Sequence, residues 1–196
     1  MGFSREVKVG MGFAGGVLLG FVLLMMPLGW LLVLLPLPSN MGLFNVISSA
    51  LAFFCGGCLA GASLGRGRRT KLAFGLAFAV TLPFLVLTII GIQGLGGRQH
   101  ALRLLVWFGG PAVPAFGILG ALGVAVAGEP WRTVAAGAII FATSGAVGGV
   151  LFTMALLPYP PNRVLAMLGA LAFLLVPPAL GGAALARRIP SPGSQA

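Results

Sequence analysis

Acidic residues are nearly absent from this chain of 196 residues. It has no aspartate, and its two glutamates, Glu6 and Glu129, stand against 12 lysines and arginines, for a net charge of +10. Histidine occurs once, as His100, and cysteine twice, as Cys55 and Cys58. Each shortage removes a class of chemistry. A serine–histidine–aspartate set cannot be assembled without aspartate. Paired-carboxylate catalysis would need Glu6 and Glu129, which belong to different connectors. A structural zinc site takes four ligands, and only His100 could join the two cysteines. The phosphate-cradling G-x-x-x-x-G-K-[ST] pattern does not occur. The sequence therefore predicts no catalytic residue set, no metal and no cofactor, and points away from an enzyme.

Long apolar runs are what the chain has instead. Hydrophobic residues make up 59% of it, and its mean hydropathy is +1.09. About 20 residues at ~1.5 Å rise cross a hydrocarbon core about 30 Å thick. Six runs meet that length: 11–35, 42–65, 72–92, 102–127, 133–157 and 163–186. The expected fold is all-α, an integral membrane bundle of six transmembrane helices forming one domain over residues 1–188, with a flexible tail at 189–196. The first run is too long for the apolar core of a signal peptide and reads as a retained helix.

The basic residues sit in the connectors and give an orientation. Arg5 and Lys8, then Arg66, Arg68, Arg69 and Lys71, then Arg132, then Arg187 and Arg188 fall on one side. Arg98, Arg103 and Arg163 fall on the other. The richer side faces the cytoplasm under the positive-inside rule, which puts both termini inside a multi-pass protein of the cell (inner or plasma) membrane. Trp30, Trp107, Trp131 and Tyr159 lie near run ends, where amphipathic rings favour the headgroup layer. The positive charge thus reads as contact with anionic lipid headgroups rather than with nucleic acid.

Glycines four apart give helices a face on which another backbone can approach. Gly12, Gly16 and Gly20 form such a face on the first run, which serves either internal packing or the docking of a membrane-protein partner or second copy. Gly57, Gly61 and Gly65 form another. Gly110, Pro111 and Pro114 in the fourth run, and Pro177 and Pro178 in the sixth, mark candidate broken helices, because proline removes a backbone donor. Transporters build midplane sites from broken helices.

Three further features bear on function. Arg98, His100, Arg103 and Trp107 could form the mouth of a site for an anion on the outer side. Glu129, in Gly128-Glu129-Pro130-Trp131-Arg132, is either a carboxylate at a helix start or a proton-coupling acid reaching into the bundle. Cys55-Gly56-Gly57-Cys58 has redox spacing, but a thiol relay lacks a second pair, and apolar packing is the plainer reading. A shift of about 63 positions also lays Gly57, Gly65, Arg69, Thr70 and Phe78 on Gly120, Gly128, Arg132, Thr133 and Phe141, as a parallel duplication of one hairpin would. Two functions follow as expectations: a transport component holding a small solute within the bundle, or a non-catalytic accessory or assembly subunit of a larger membrane complex.

Overall fold

The computed structural model describes residues 3–34, 41–65, 67–93, 110–156 and 163–189. Among these there are six helices and no strand: α1 (Arg5–Leu34), α2 (Met41–Ser63), α3 (Arg68–Gln93), α4 (Gly110–Val126), α5 (Trp131–Leu156) and α6 (Arg163–Arg188). Each falls on one expected run. Residues 102–109 of the fourth run lie outside the described residues. Among the described residues two helices, α5 and α6 from Val164, are long and apolar enough to cross a membrane.

The helices form a closed ring. Each packs on its neighbours in sequence, and α6 returns to α1. The starts of α1, α3 and α5 share one end of the bundle with the last turns of α2, α4 and α6. Arg5 there bonds to Leu64, Ala186 and Ile189, and Arg69 to Val126.

The turns at this end are made by glycine. Gly65 follows α2 with φ of 72°, and Gly128 follows α4 with φ of 86°, a left-handed conformation that side chains disfavour. The Gly128 amide donates to Ala125 O at 2.9 Å and the Glu129 amide to Val124 O at 3.2 Å. These two bonds are the Schellman pair that satisfies a helix's last carbonyls. The Gly65 amide donates to Ala62 O at 3.0 Å, the same bond sixty-three positions earlier.

That shift holds through both hairpins. Thr70 N donates to Gly67 O as Thr133 N does to Pro130 O. The Thr81 hydroxyl donates to Ala77 O as Ser144 does to Ile140 O. The order of buried, half-buried and exposed positions over residues 52–60 repeats over 115–123. With one position differing, it repeats a third time over 177–185 in α6. The third copy pairs with α1 across the chain ends. Gly57 of α2 lies against Phe78 of α3, Gly120 of α4 against Phe141 of α5, and Gly182 of α6 against Phe13 of α1. The fold is three equivalent helix pairs, α2–α3, α4–α5 and α6–α1, and the last is split between the two ends of the sequence.

The three phenylalanines meet at the centre. The Phe13 ring lies 5.8 Å from Phe141, 6.1 Å from Phe78 and 5.1 Å from Phe74. All four are fully buried. Deeper in the bundle a second cluster joins α4, α5 and α6, with Phe173 5.5 Å from Phe152 and 6.2 Å from Phe116.

Candidate functional site

Three regions of the bundle could carry recognition: its charged end, its centre and its outer clefts. At the charged end the cations find backbone partners. The Arg5 guanidinium donates to Ala186 O at 2.8 Å and Ile189 O at 2.9 Å, the last turn of α6, and reaches Leu64 O beyond α2 at 3.5 Å. Arg69 Nε donates to Val126 O, at the end of α4, at 3.0 Å, and its guanidinium lies over Gly128. Carbonyls at helix C-termini lack intrahelical donors and carry the negative end of the macrodipole, so a cation there satisfies both. Glu6, in the first turn of α1, is held below the usual carboxylate range, first by a hydrogen bond from Ser4 and then by its own backbone amide, with smaller help from Arg187 and Arg5. Lys8, Arg68, Lys71, Arg132, Arg187 and Arg188 stand at this same end, and Arg163 begins α6 at the other.

The centre offers no polar group to a ligand among the hydroxyls that the structure pairs. The buried Thr81, Ser144 and Thr153 each donate to the carbonyl four residues back, at 2.6 to 2.8 Å, and Thr143 does the same on the outer face of α5. Ser63 bonds Ala60 O at 2.6 Å. Such back-bonding spends the hydroxyl on its own helix.

The expected site residues fall as follows. Arg98, His100, Arg103 and Trp107 lie outside the described residues. Gly12, Gly16 and Gly20 face α2: Gly12 lies on Ser63, Gly16 on the Gly56 carbonyl, and Gly20 on Ala52 O and the Phe53 ring. Their close approach is consumed inside the chain, and the face is not open to a separate subunit. Gly110 and Pro111 are the first described residues of α4, and the helix continues through Pro114 without a break.

No break occurs at Pro177 and Pro178, because α6 runs unbroken from Arg163 to Arg188. Pro177 deprives the Phe173 carbonyl of its helical donor. Gly148 of α5 packs there, its Cα hydrogens directed so that a Cβ would fall 3.3 Å from Phe173 O and 2.5 Å from Pro177 Cγ. Close backbone approach of this kind permits a weak Cα–H···O contact. The proline pair is thus part of the α5–α6 seam.

Glu129 sits half-buried in the turn between α4 and α5, outside both helices. Cys55 and Cys58 are free thiols on α2, Cys55 exposed and Cys58 half-buried over Gly75. Among the described residues no three histidine, cysteine or acidic side chains gather at one place.

Sequence reasoning missed the outer clefts. Between α4 and α5 an outward-facing apolar groove of about 440 Å³ is lined by Val113, Pro114, Gly117, Ile118 and Ala121 on one side and Ala138, Ile139 and Ala142 on the other. The shift that pairs the hairpins also pairs Gly117 with Phe54, Ala121 with Cys58 and Ala138 with Gly75. Between α2 and α3 the Phe54 ring and the Cys58 sulfur cover Gly75, so closely that a Cβ there would lie 2.6 Å from the sulfur and 3.0 Å from the ring. Between α6 and α1 the counterpart of Gly75 is Gly10, which lies against Ala179 O and Ala183. One cleft is plugged by a ring, one is closed by backbone approach, and the α4–α5 cleft keeps a shallow outward groove beside the contact of Gly117 with Ala138 O and Ala142. Aligning the hairpins would have flagged the Phe54–Gly117 difference.

The chain matches no protein-family model, no curated protein and no solved structure.

Proposed function

We propose that this chain is a six-span protein of the cell membrane, with its basic end and both termini in the cytoplasm, acting as a non-catalytic accessory subunit of a larger membrane complex. Its outer surface supports the membrane placement. Leu51, Val80, Ile139, Met154, Met167 and Leu168 are each more than half exposed and spread over α2, α3, α5 and α6. Apolar surface on that scale marks contact with lipid or protein rather than water. The gathering of cations at one end supports the orientation.

The observation that carries the accessory role is the filled centre. Phe13, Phe74, Phe78 and Phe141 close the axis that the three helix pairs share, and the hydroxyls nearby bond their own helices. Recognition is left to the outside of the bundle. Gentle solubilisation from the native membrane followed by native mass spectrometry should recover the chain with a partner protein in fixed ratio. A monodisperse, partner-free monomer would sink the reading. For the orientation, a single cysteine at position 67, in a chain with Cys55 and Cys58 replaced by alanine, should resist impermeant labelling from outside intact cells. Labelling from outside would invert it.

A second reading, a transport component, is favoured by one feature. Parallel repeats around an axis along the membrane normal are a transporter architecture, and three equivalent helix pairs have that arrangement. Under this reading the purified chain retains a small solute, and its deletion lowers uptake of that solute.

A further inference from the structure

We infer that the corner between the start of α5 and the end of α6 is a seat for the phosphate of an anionic phospholipid, held by Arg132 and Arg188. The inference rests on the membrane placement proposed above and goes beyond it by naming one corner of three. The helix pairs meet at the basic end, where their equivalent positions can be compared. At the α3–α4 corner Arg69 is spent, donating to Val126 O at the end of α4. Arg132 is its counterpart 63 positions on. Among the described residues no such bond joins Arg132 to α6, whose Ala186 and Ile189 carbonyls go to Arg5. The helix ends differ as well. Where α2 closes on Ala62-Ser63 and α4 on Ala125-Val126, α6 closes on Arg187-Arg188. The macrodipole favours cations at a helix end, but α2 and α4 carry none in their last turns, and Arg5 already serves the last carbonyls of α6.

Helix periodicity brings the two guanidinium groups to this corner. Pro177 lies on Gly148 and Gly181 on Phe141, both of α5. Arg188, seven residues after Gly181, returns to that α5-facing row at ~3.6 residues per turn. Arg187, one position round, acts on Glu6 of α1 instead. Arg132 stands in the first turn of α5, seven residues before Ile139, and so shares the outward row on which Ile139 is 67% exposed. Both arginines are exposed. The chain's carboxylate in this corner is Glu129, half-buried in the turn before Trp131, and one carboxylate balances one of two cations. An anion from outside the chain balances the other. Guanidinium forks match pairs of phosphate oxygens. The bilayer is the source of that phosphate because Trp131, next to Arg132, is 78% exposed, and an indole so placed belongs in the headgroup layer. From Arg132 the same row runs down to apolar Ile139, which sets the phosphate at the rim and the acyl chains along the outer face of α5.

The test uses the full chain, purified in mild detergent and offered equal amounts of palmitoyl-oleoyl phosphatidylglycerol and phosphatidylcholine, with native mass spectrometry as the readout. The wild type should retain the anionic lipid over the zwitterionic one by roughly tenfold, the scale of one to two basic contacts with an anionic lipid. Arg132→Gln with Arg188→Gln should bring the two lipids close to parity. Arg68→Gln with Lys71→Gln, an equal loss of charge at the start of α3, should keep the preference. The single variants Arg132→Gln and Arg188→Gln, each at an exposed position, keep the inference open to refutation if the double variant fails to fold: each should lower the preference. A preference that survives the double variant or either single one overturns the seat. So does an equal loss in the Arg68/Lys71 control, which would make the preference a matter of net charge. Displacement of the lipid by inorganic phosphate, beyond that caused by chloride at equal ionic strength, would assign the corner to a free phosphate and overturn the lipid. An acidic protein bound by the wild type and lost from the Arg132/Arg188 variant, with lipid preference unchanged, would assign it to a protein partner and do the same. A chain that stays soluble and lipid-free without detergent overturns the membrane placement itself, which separates that failure from this one.

Discussion

Replacing Phe13 by alanine tests whether the central ring of phenylalanines holds the three helix pairs together. Phe13 is fully buried and touches Phe74, Phe78 and Phe141 at 5.1, 6.1 and 5.8 Å, with Gly182 pressed against its ring. Phe→Ala in a water-soluble core costs about 3–5 kcal/mol, of which the cavity contributes about 24 cal/mol per Å³. In a bilayer the unfolded helices remain in hydrocarbon, so the transfer part falls away and the packing part remains. A phenyl ring leaves a void on the order of 100 Å³, worth about 2.4 kcal/mol at that rate. Edge-on aromatic pairs add about 0.5–1.5 kcal/mol each, and the ring pairs partly overlap with the cavity. The expected loss is about 3 kcal/mol, read as a shifted equilibrium in steric-trap unfolding within bicelles. Leu76→Ala, on the exposed face of α3, is the control and should change stability by less than about 0.5 kcal/mol. A Phe13→Ala protein within 1 kcal/mol of wild type, roughly the aromatic contribution alone, would refute the packed-centre argument.

Three further outcomes follow from the charged end. Arg5→Gln removes the guanidinium shared by the last turns of α6 and α2; it should destabilise by about 1–2 kcal/mol in the same assay and speed hydrogen exchange at residues 186–189. Gly128→Ala forces a side chain to φ of 86° and onto the Arg69 guanidinium, 3.0 Å away; it should cost at least the ~1 kcal/mol of a left-handed cap, and Gly65→Ala, with open space around it, should cost less. Glu6 has a depressed folded-state pKa, so its contribution is present above the ordinary value of 4.5 and is lost as pH falls through the lowered one. Glu6→Gln should therefore lower stability slightly at neutral pH, match wild type below the depressed pKa, and so flatten the acid limb of the stability profile; an identical profile in the variant would remove Glu6 from the account.

Helix placement was legible because the apolar runs are long and bounded by charge or, between the first two, by Pro36, Pro38, Ser39 and Asn40. The start of α1 was less so: the helix begins at Arg5, six positions before the run. Arg5 and Lys8 are compatible with helix, and Ser4 accepts from the Val7 amide at 3.5 Å, a capping role that hydropathy does not register. The two-hairpin shift could be read directly, since Gly65 and Gly128 hold the same turn. The third pair could not, because α6 and α1 lie at opposite ends of the chain and Pro177 and Pro178 stand where the other copies have alanine and phenylalanine. Those prolines also misled. A proline breaks a helix when its freed carbonyl has nowhere to go, and here Gly148 meets the Phe173 carbonyl from the next helix, which no local pattern reveals. The Gly12, Gly16 and Gly20 face was readable as a contact surface; its occupant, α2, was not, because glycine spacing says how near a backbone can come and not whose.

The shortage of acids acquires a structural meaning in the same light. Twelve cations and two carboxylates would leave most positive side chains to solvent or lipid if ion pairs were the only partners. Ordering the chain as three helix pairs brings the ends of α2, α4 and α6 to the face where α1, α3 and α5 begin. That face then carries several unsatisfied carbonyls per helix, a source of partial negative charge written in backbone rather than in side chains. Arg5 and Arg69 draw on it directly. A guanidinium suits the task better than an ammonium, because its fork reaches two helix ends at once: Arg5 Nη1 donates to Ala186 and Ile189 at the end of α6 and Nη2 to Leu64 beyond α2. Lysine at position 5 should therefore keep the charge and the orientation but lose most of the ring closure between α6, α1 and α2. If Arg5→Lys were as stable as wild type, the link would be one of charge alone, and the geometry of the shared helix ends would not be what joins the first helix to the last.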